Sequence, residues 1–196
     1  LATRELVDLV AFTIAAHGWR RYVLDPVMVA SSGDRLLDMD AVDAVRVNLL
    51  PLALCVTPNL DDAEILTDRP VRTPEALGDA GKALIDLGAG SALIKGGHLK
   101  SDILVDVLVT PDGVERFTRT RQHTRATHGT GCTLSAAITA ALALGFDLDR
   151  AVPDALDYLQ AAIHAAPAAA KAEAGAAAES VTNTQTAGVD EGGIVK

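Results

Sequence analysis

The sequence predicts an α/β fold with a mostly parallel central sheet, on three observations. Short apolar runs end in polar loops, stretches of helical periodicity separate those runs, and Gly or Pro marks the junctions. That alternation is what right-handed βαβ units produce.

Residues 3–17 place Leu6, Val10 and Ile14 four apart, with Thr3 available as a cap and Gly18 as a stop, which reads as a helix. The run Arg21-Tyr-Val-Leu-Asp25 is a short buried strand ended by Pro26. From Asp40 a second helical pattern runs through Val42, Val45 and Leu49 until Pro51 stops it. Residues 52–56 read as the second strand, closing on Thr57-Pro-Asn59, and helices follow at 60–67 and 74–88. Residues 91–94 are the third strand, ending in Lys95-Gly-Gly97.

The stretches 103–109 and 114–120 flank Thr110-Pro-Asp-Gly113 with alternating apolar and polar positions, a hairpin expected at an edge or as a flap. Helices follow at 133–145 and 149–166, the latter with Val152, Leu156, Leu159 and Ile163 on one face. After Pro167 the composition shifts to Ala, Glu, Ser, Thr and Gly, so residues 1–166 are expected to be one domain and 167–196 a disordered tail.

Acidic residues outnumber basic ones 26 to 17, and no basic block exists to track a phosphate backbone, so nucleic acid is not an expected partner. Aromatic residues make up only 3%, and no apolar run approaches the ~18 residues that span a bilayer, so no membrane association is expected. Of the two cysteines, Cys55 lies inside a buried-strand pattern; a disulfide framework is not expected, and a cytoplasmic setting is. The chain opens without an initiator Met, which suits a fragment.

In an open parallel sheet, ligands bind beyond the carboxyl ends of the strands. Asp25 ends the first strand, Thr57 and Asn59 the second, and Lys95 the third. One rim should therefore gather a carboxylate, a hydroxyl, an amide and an ammonium, a set suited to a metal-bound polyphosphate. Loops also hold these residue types for turn-forming reasons, so each one taken singly fits either reading.

His128-Gly-Thr-Gly-Cys132 leads into the helix expected from Thr133, and the amides at such a helix start favour an anion. The same amides would stabilise a Cys132 thiolate and make it usable as a proton acceptor; taken alone, a free cysteine is more often a small buried hydrophobe. The Walker spacing is absent, so this is no P-loop. His98, His128 and Cys132 have no zinc spacing to complete, and Gly-x-Ser-x-Gly is missing, which counts against a metal cage and a serine hydrolase.

Five ordered motifs, Leu24-Asp-Pro-Val-Met28, Ser32-Gly-Asp-Arg-Leu-Leu37, Thr57-Pro-Asn-Leu60, Lys95-Gly-Gly-His98 and His128-Gly-Thr-Gly-Cys-Thr-Leu-Ser-Ala-Ala137, closely resemble those of the hydroxymethylpyrimidine phosphate kinases. That family lies in the ribokinase-like superfamily, and the resemblance runs from Leu1 to about Pro167. It implies a three-layer αβα fold, truncated at its N-terminal side.

The resemblance further implies transfer of the ATP γ-phosphoryl group to 4-amino-5-hydroxymethyl-2-methylpyrimidine phosphate, or to the free alcohol, in thiamine diphosphate biosynthesis. Mg²⁺ accompanies the ATP, and family members are often homodimers. By the same resemblance Cys132 is the catalytic base and Gly129, Thr130 and Gly131 form the anion hole. Lys95, Asn59 and Thr57 then bind the ATP phosphates, and Asp25 and Asp62 handle the metal.

The sequence departs from the family in three places. The superfamily's Asn-x-x-Glu is Asn59-Leu-Asp-Asp62, with Glu64 as a compensating acid two residues on. Nothing like the family's Gly-Ser-Asp-x-Ser-Gly-Gly pyrimidine motif precedes Leu1, and the closing Gly-His-Gly-Pro-like motif is replaced by the Ala/Glu-rich tail. These departures keep two other expectations open: an inactive remnant that binds nucleotide or a partner, and a kinase for another small alcohol such as pyridoxal.

Overall fold

The computed structural model of the chain describes residues 3–29, 35–97, 102–122 and 129–165. Its elements are helix α1 (Arg4–Ala16), strand β1 (Val23–Leu24), α2 (Met39–Ala44), β2 (Cys55–Val56), α3 (Leu60–Thr67), α4 (Pro74–Asp86), β3 (Ala92–Ile94), β4 (Ile103–Thr110), β5 (Gly113–Thr120), α5 (Thr130–Ala143) and α6 (Leu148–Ala165). The tail expected from residue 167 lies outside the described residues.

The five strands form one sheet in the order β1-β2-β3-β4-β5. The first three run parallel, while β4 pairs antiparallel with β3 and β5 antiparallel with β4, so the sheet is mixed. The hairpin accounts for both antiparallel pairings and puts β5 at the edge.

Because strand side chains alternate between faces, the sheet divides its residues between two cores. Leu24, Val56, Ala92, Ile94, Val107 and Val109 pack with residues of α1 to α4. Val23, Cys55, Leu93 and Leu108 face the other way, against Leu134, Ile138 and Leu142 of α5 and Val152, Leu156 and Leu159 of α6. The result is the three-layer αβα arrangement.

The structure corrects several local expectations. The segment 52–56 contributes only Cys55–Val56 to the sheet, because Leu50–Leu52 closes a 3₁₀ turn. The preceding helix does not run unbroken to Pro51: it passes through a π turn at Val45–Leu49, and Pro51, which has no N–H to donate, sits inside the 3₁₀ turn. Thr3 occupies the cap position of α1 without a side-chain cap bond. Helix α5 starts at Thr130 rather than Thr133. Gly129 ends the preceding loop with φ of 77°, a left-handed conformation that glycine adopts at no steric cost, so Thr130, Gly131 and Cys132 are the first turn of the helix. Among the described residues no helix is long and apolar enough to cross a membrane.

Candidate active site

The three parallel strands end side by side, and their last backbone bonds bring the loop residues into register. Thr57 N–H donates to Leu24 O at 2.9 Å, Lys95 N–H to Pro58 O at 2.9 Å, and Asn59 pairs with Lys95 across a parallel bridge. Asp25, Thr57, Asn59 and Lys95 therefore share one rim, as their positions after apolar runs predict.

Lys95 Nζ lies 2.8 Å from Asp25 Oδ1, with both side chains largely buried, at 16% and 13% exposure. Thr57 Oγ1 donates to the same oxygen at 3.1 Å, and Thr57 is fully buried. Among the described residues the other carboxylate oxygen meets the Ser135 hydroxyl, at 3.5 Å. Asp25 is thus anchored more firmly on one oxygen than on the other. The Thr57 hydroxyl helps to hold this acid.

The first turn of α5 closes over the pair. A Cβ on Gly131 would stand 3.2 Å from Lys95 Nζ and 3.8 Å from Asp25 Oδ2, so the helix start sits in close contact with the ammonium. The amides of a first helical turn have no carbonyl within the helix to bond, and they point outward beside Lys95. Cys132, the third residue of that turn, is exposed, so the structure rejects the alternative of a buried hydrophobe.

Asn59 and Asp62 form a capping box at the start of α3: Asn59 Oδ1 accepts Asp62 N–H at 2.9 Å, and Asp62 Oδ2 accepts Asn59 N–H at 3.4 Å. Asp62 Oδ1 also accepts Met28 N–H at 3.0 Å, tying α3 to the loop that carries Asp25. Burial pushes the Asp62 carboxyl up to about 6, against the lowering effect of these two amides and of Lys95. Both of its oxygens are therefore used within the protein. Glu64 does not compensate: it accepts Val71 N–H at 2.7 Å and pairs with Arg72, away from the rim.

One group escaped the sequence reading altogether. Asp106, at the centre of β4, is buried, accepts Gly96 N–H at 2.9 Å and pairs with Arg119 of β5. Arg121 donates to Gly97 O at 2.9 Å. The visible signal was an acid in the middle of the apolar run Ile103-Leu-Val-Asp-Val-Leu-Val109.

Among the described residues no cluster of three or more His, Cys, Asp or Glu is placed to hold a metal, and His98 and His128 lie outside them. Mg²⁺ commonly binds through one or two carboxylates together with substrate phosphates and water. A single carboxylate such as Asp25, placed on the rim beside Lys95, fits that mode.

The chain matches the sequence profile of the phosphomethylpyrimidine kinase family over residues 1–177. It is 47% identical over 167 residues to a hydroxymethylpyrimidine/phosphomethylpyrimidine kinase of Rhizobium meliloti, covering 85% of this chain and 62% of that protein. The corresponding enzyme of Salmonella typhimurium is 42% identical over 164 residues, covering 83% and 62%. The chain thus spans about three-fifths of the length of these relatives. Among solved structures, the ADP complex of Bacillus subtilis pyridoxal kinase matches with a TM-score of 0.78 at 37% identity, covering 83% of this chain and 62% of that one. Phosphomethylpyrimidine kinase of Clostridium difficile matches with a TM-score of 0.73 at 31% identity, covering 83% and 66%.

Proposed function

Since the chain belongs to the phosphomethylpyrimidine kinase family, we propose that it transfers the γ-phosphoryl group of ATP to 4-amino-5-hydroxymethyl-2-methylpyrimidine phosphate, and to the free pyrimidine alcohol, in thiamine diphosphate biosynthesis. The observation that carries this reading is the seating of the α5 start on the Lys95–Asp25 pair.

Phosphoryl transfer asks mainly for positioning and for neutralisation of charge on the transferred group. Lys95 supplies a positive charge held in place by Asp25 and Thr57. The first-turn amides at Thr130, Gly131 and Cys132, with Gly129 leading in, cradle the phosphoryl oxygens. Asp25 would hold the Mg²⁺ that accompanies ATP, with Asp62 behind it fixing the loop and Asn59 capping the helix beside the phosphates. Mg²⁺, when bound, neutralises phosphate charge. The acceptor oxygen attacks the γ-phosphorus, the bond to the β-phosphate oxygen breaks, and ADP leaves. The acceptor's proton passes to the exposed Cys132 sulfur.

The same reading makes ATP and the pyrimidine the partners, residues 1–166 the kinase unit, the cytoplasm the location and a homodimer the assembly. A second acceptor is worth testing because solved pyridoxal kinases, including that of Staphylococcus aureus bound to AMP-PCP and pyridoxal, align with this chain at a TM-score of 0.76.

The test is ADP release by the 196-residue chain with MgATP and, in separate reactions, hydroxymethylpyrimidine phosphate or pyridoxal. Release that depends on the pyrimidine and is lost in Cys132→Ala is expected. Release that depends on pyridoxal alone would reassign the acceptor. ATP binding without release to either would make the chain a nucleotide-binding remnant.

A further inference from the structure

We infer that the buried Asp106–Arg119 pair of the β4–β5 hairpin is the positioning element for the lysine turn: it sets where Lys95 Nζ stands by holding the Gly96 amide from behind. This rests on the assignment of Lys95 to the ATP phosphates.

Three observations converge on that turn. Asp106 Oδ1 accepts Gly96 N–H at 2.9 Å, one residue from Lys95. A Cβ on Gly96 would fall 1.9 Å from Val105 O, so the turn lies directly on the β4 backbone and has no room to shift toward it. Arg121 Nη2 donates to Gly97 O at 2.9 Å, which fastens the far side of the same turn to the strand exit of β5. The Lys95 ammonium itself meets Asp25 on the front side.

Sheet geometry alone does not require a charge at this place. Asp106 is 3% exposed and its neighbours Val107, Leu108 and Val109 are all apolar core. Arg119 sits on β5 opposite Leu104, diagonal to Asp106, and its Nε finds no partner. Replacing such a buried pair by apolar side chains of similar volume is often neutral or stabilising for folding. A pair retained for stability alone would be a poor solution, whereas a buried carboxylate with Arg119 Nη2 on one oxygen and the Gly96 amide on the other is well suited to fixing that amide.

The experiment compares the parent chain, the double variant Asp106→Leu/Arg119→Leu, and Asp106→Asn, which keeps an acceptor oxygen for Gly96 N–H. Each is followed by amide hydrogen exchange without nucleotide and by the dissociation constant for ATP. The double variant is expected to fold and to melt no lower than the parent. Its exchange should rise about tenfold at residues 95–97 and stay unchanged in β1 and β2, with about tenfold weaker ATP binding; Asp106→Asn should keep both within about threefold of the parent. Unchanged exchange at Gly96 in a folded double variant would overturn the inference. If the double variant does not fold, Asp106→Asn decides by the same two readings, and a loss beyond threefold overturns it. A parent chain that binds no ATP would refute the kinase assignment, while the exchange comparison would still decide the role of the pair.

Discussion

Gly131 and Lys95 are packed without a side chain between them: a methyl on the glycine would lie 3.2 Å from the ammonium nitrogen. The helix start and the cation therefore act on the same small volume. Alanine at this position suits a helix better than glycine by about 0.5 to 1 kcal/mol, but its methyl would crowd the lysine and shift its ammonium by a few tenths of an ångström.

Gly131→Ala is accordingly expected to leave the melting temperature unchanged or slightly raised while MgATP-dependent ADP release falls by about tenfold or more. Calorimetry and turnover on one preparation check this. A parallel fall in both would mean that the turn itself had collapsed.

On the proposed assignment the Lys95–Asp25 pair combines a structural role with a catalytic one, and the two separate by substitution. Lys95→Met leaves a largely buried carboxylate without its cation, at a cost of about 3 kcal/mol. It also removes transition-state charge stabilisation, for which losses of about 10² to 10³ in turnover are usual. Lys95→Met/Asp25→Asn should regain most of the stability in a urea titration and none of the turnover. Recovery of turnover in the double variant would show that Lys95 serves only to neutralise Asp25.

Much of this site was legible because it follows from chain order. Asp25, Thr57, Asn59 and Lys95 each follow an apolar run, and a sheet with parallel strands must bring such positions to one edge. What each side chain does there was not legible. That Thr57 donates to Asp25 depends on a contact between residues 32 apart, and Asp106 bonds Gly96 through an antiparallel return. The Asn59/Asp62 capping box is local enough to read, since Asn at the cap and an acid three residues on is a helix-start pattern. The start of α5 at Thr130 rather than Thr133 is less legible, because glycine is a poor helix former and the contact of Gly131 with Lys95 is long-range.

The two thiols should differ sharply. Cys55 is fully buried between β-strand neighbours, and burial pushes its thiol up to about 11. Cys132 is exposed on the first turn of α5. A thiol-specific chromogenic reagent should label one cysteine of the native chain and the second only after denaturation. Labelling of Cys132 should slow when MgATP is present, because a phosphate at the helix start covers it. Labelling that MgATP does not alter would place the nucleotide elsewhere.

Asp62 links the chemistry of burial to a measurable pH dependence. Its folded carboxyl titrates at about 6, above the roughly 3.9 of an unfolded aspartate, because desolvation outweighs the amides of Met28 and Asn59. Between these values the folded chain retains a proton that the unfolded chain has released, so rising pH favours unfolding across that interval. The penalty is absent at about pH 4 and complete above about pH 6, and two units correspond to about 3 kcal/mol. Asp62→Asn cannot titrate, so its loss of capping is a constant offset. In metal-free buffer the stability of the parent minus that of Asp62→Asn should therefore decline by about 2 kcal/mol between pH 4.5 and 7, read from urea midpoints. A difference that stays flat with pH would mean that water reaches the carboxyl, and that Met28 and Asn59 are held by a hydrated acid rather than a buried one.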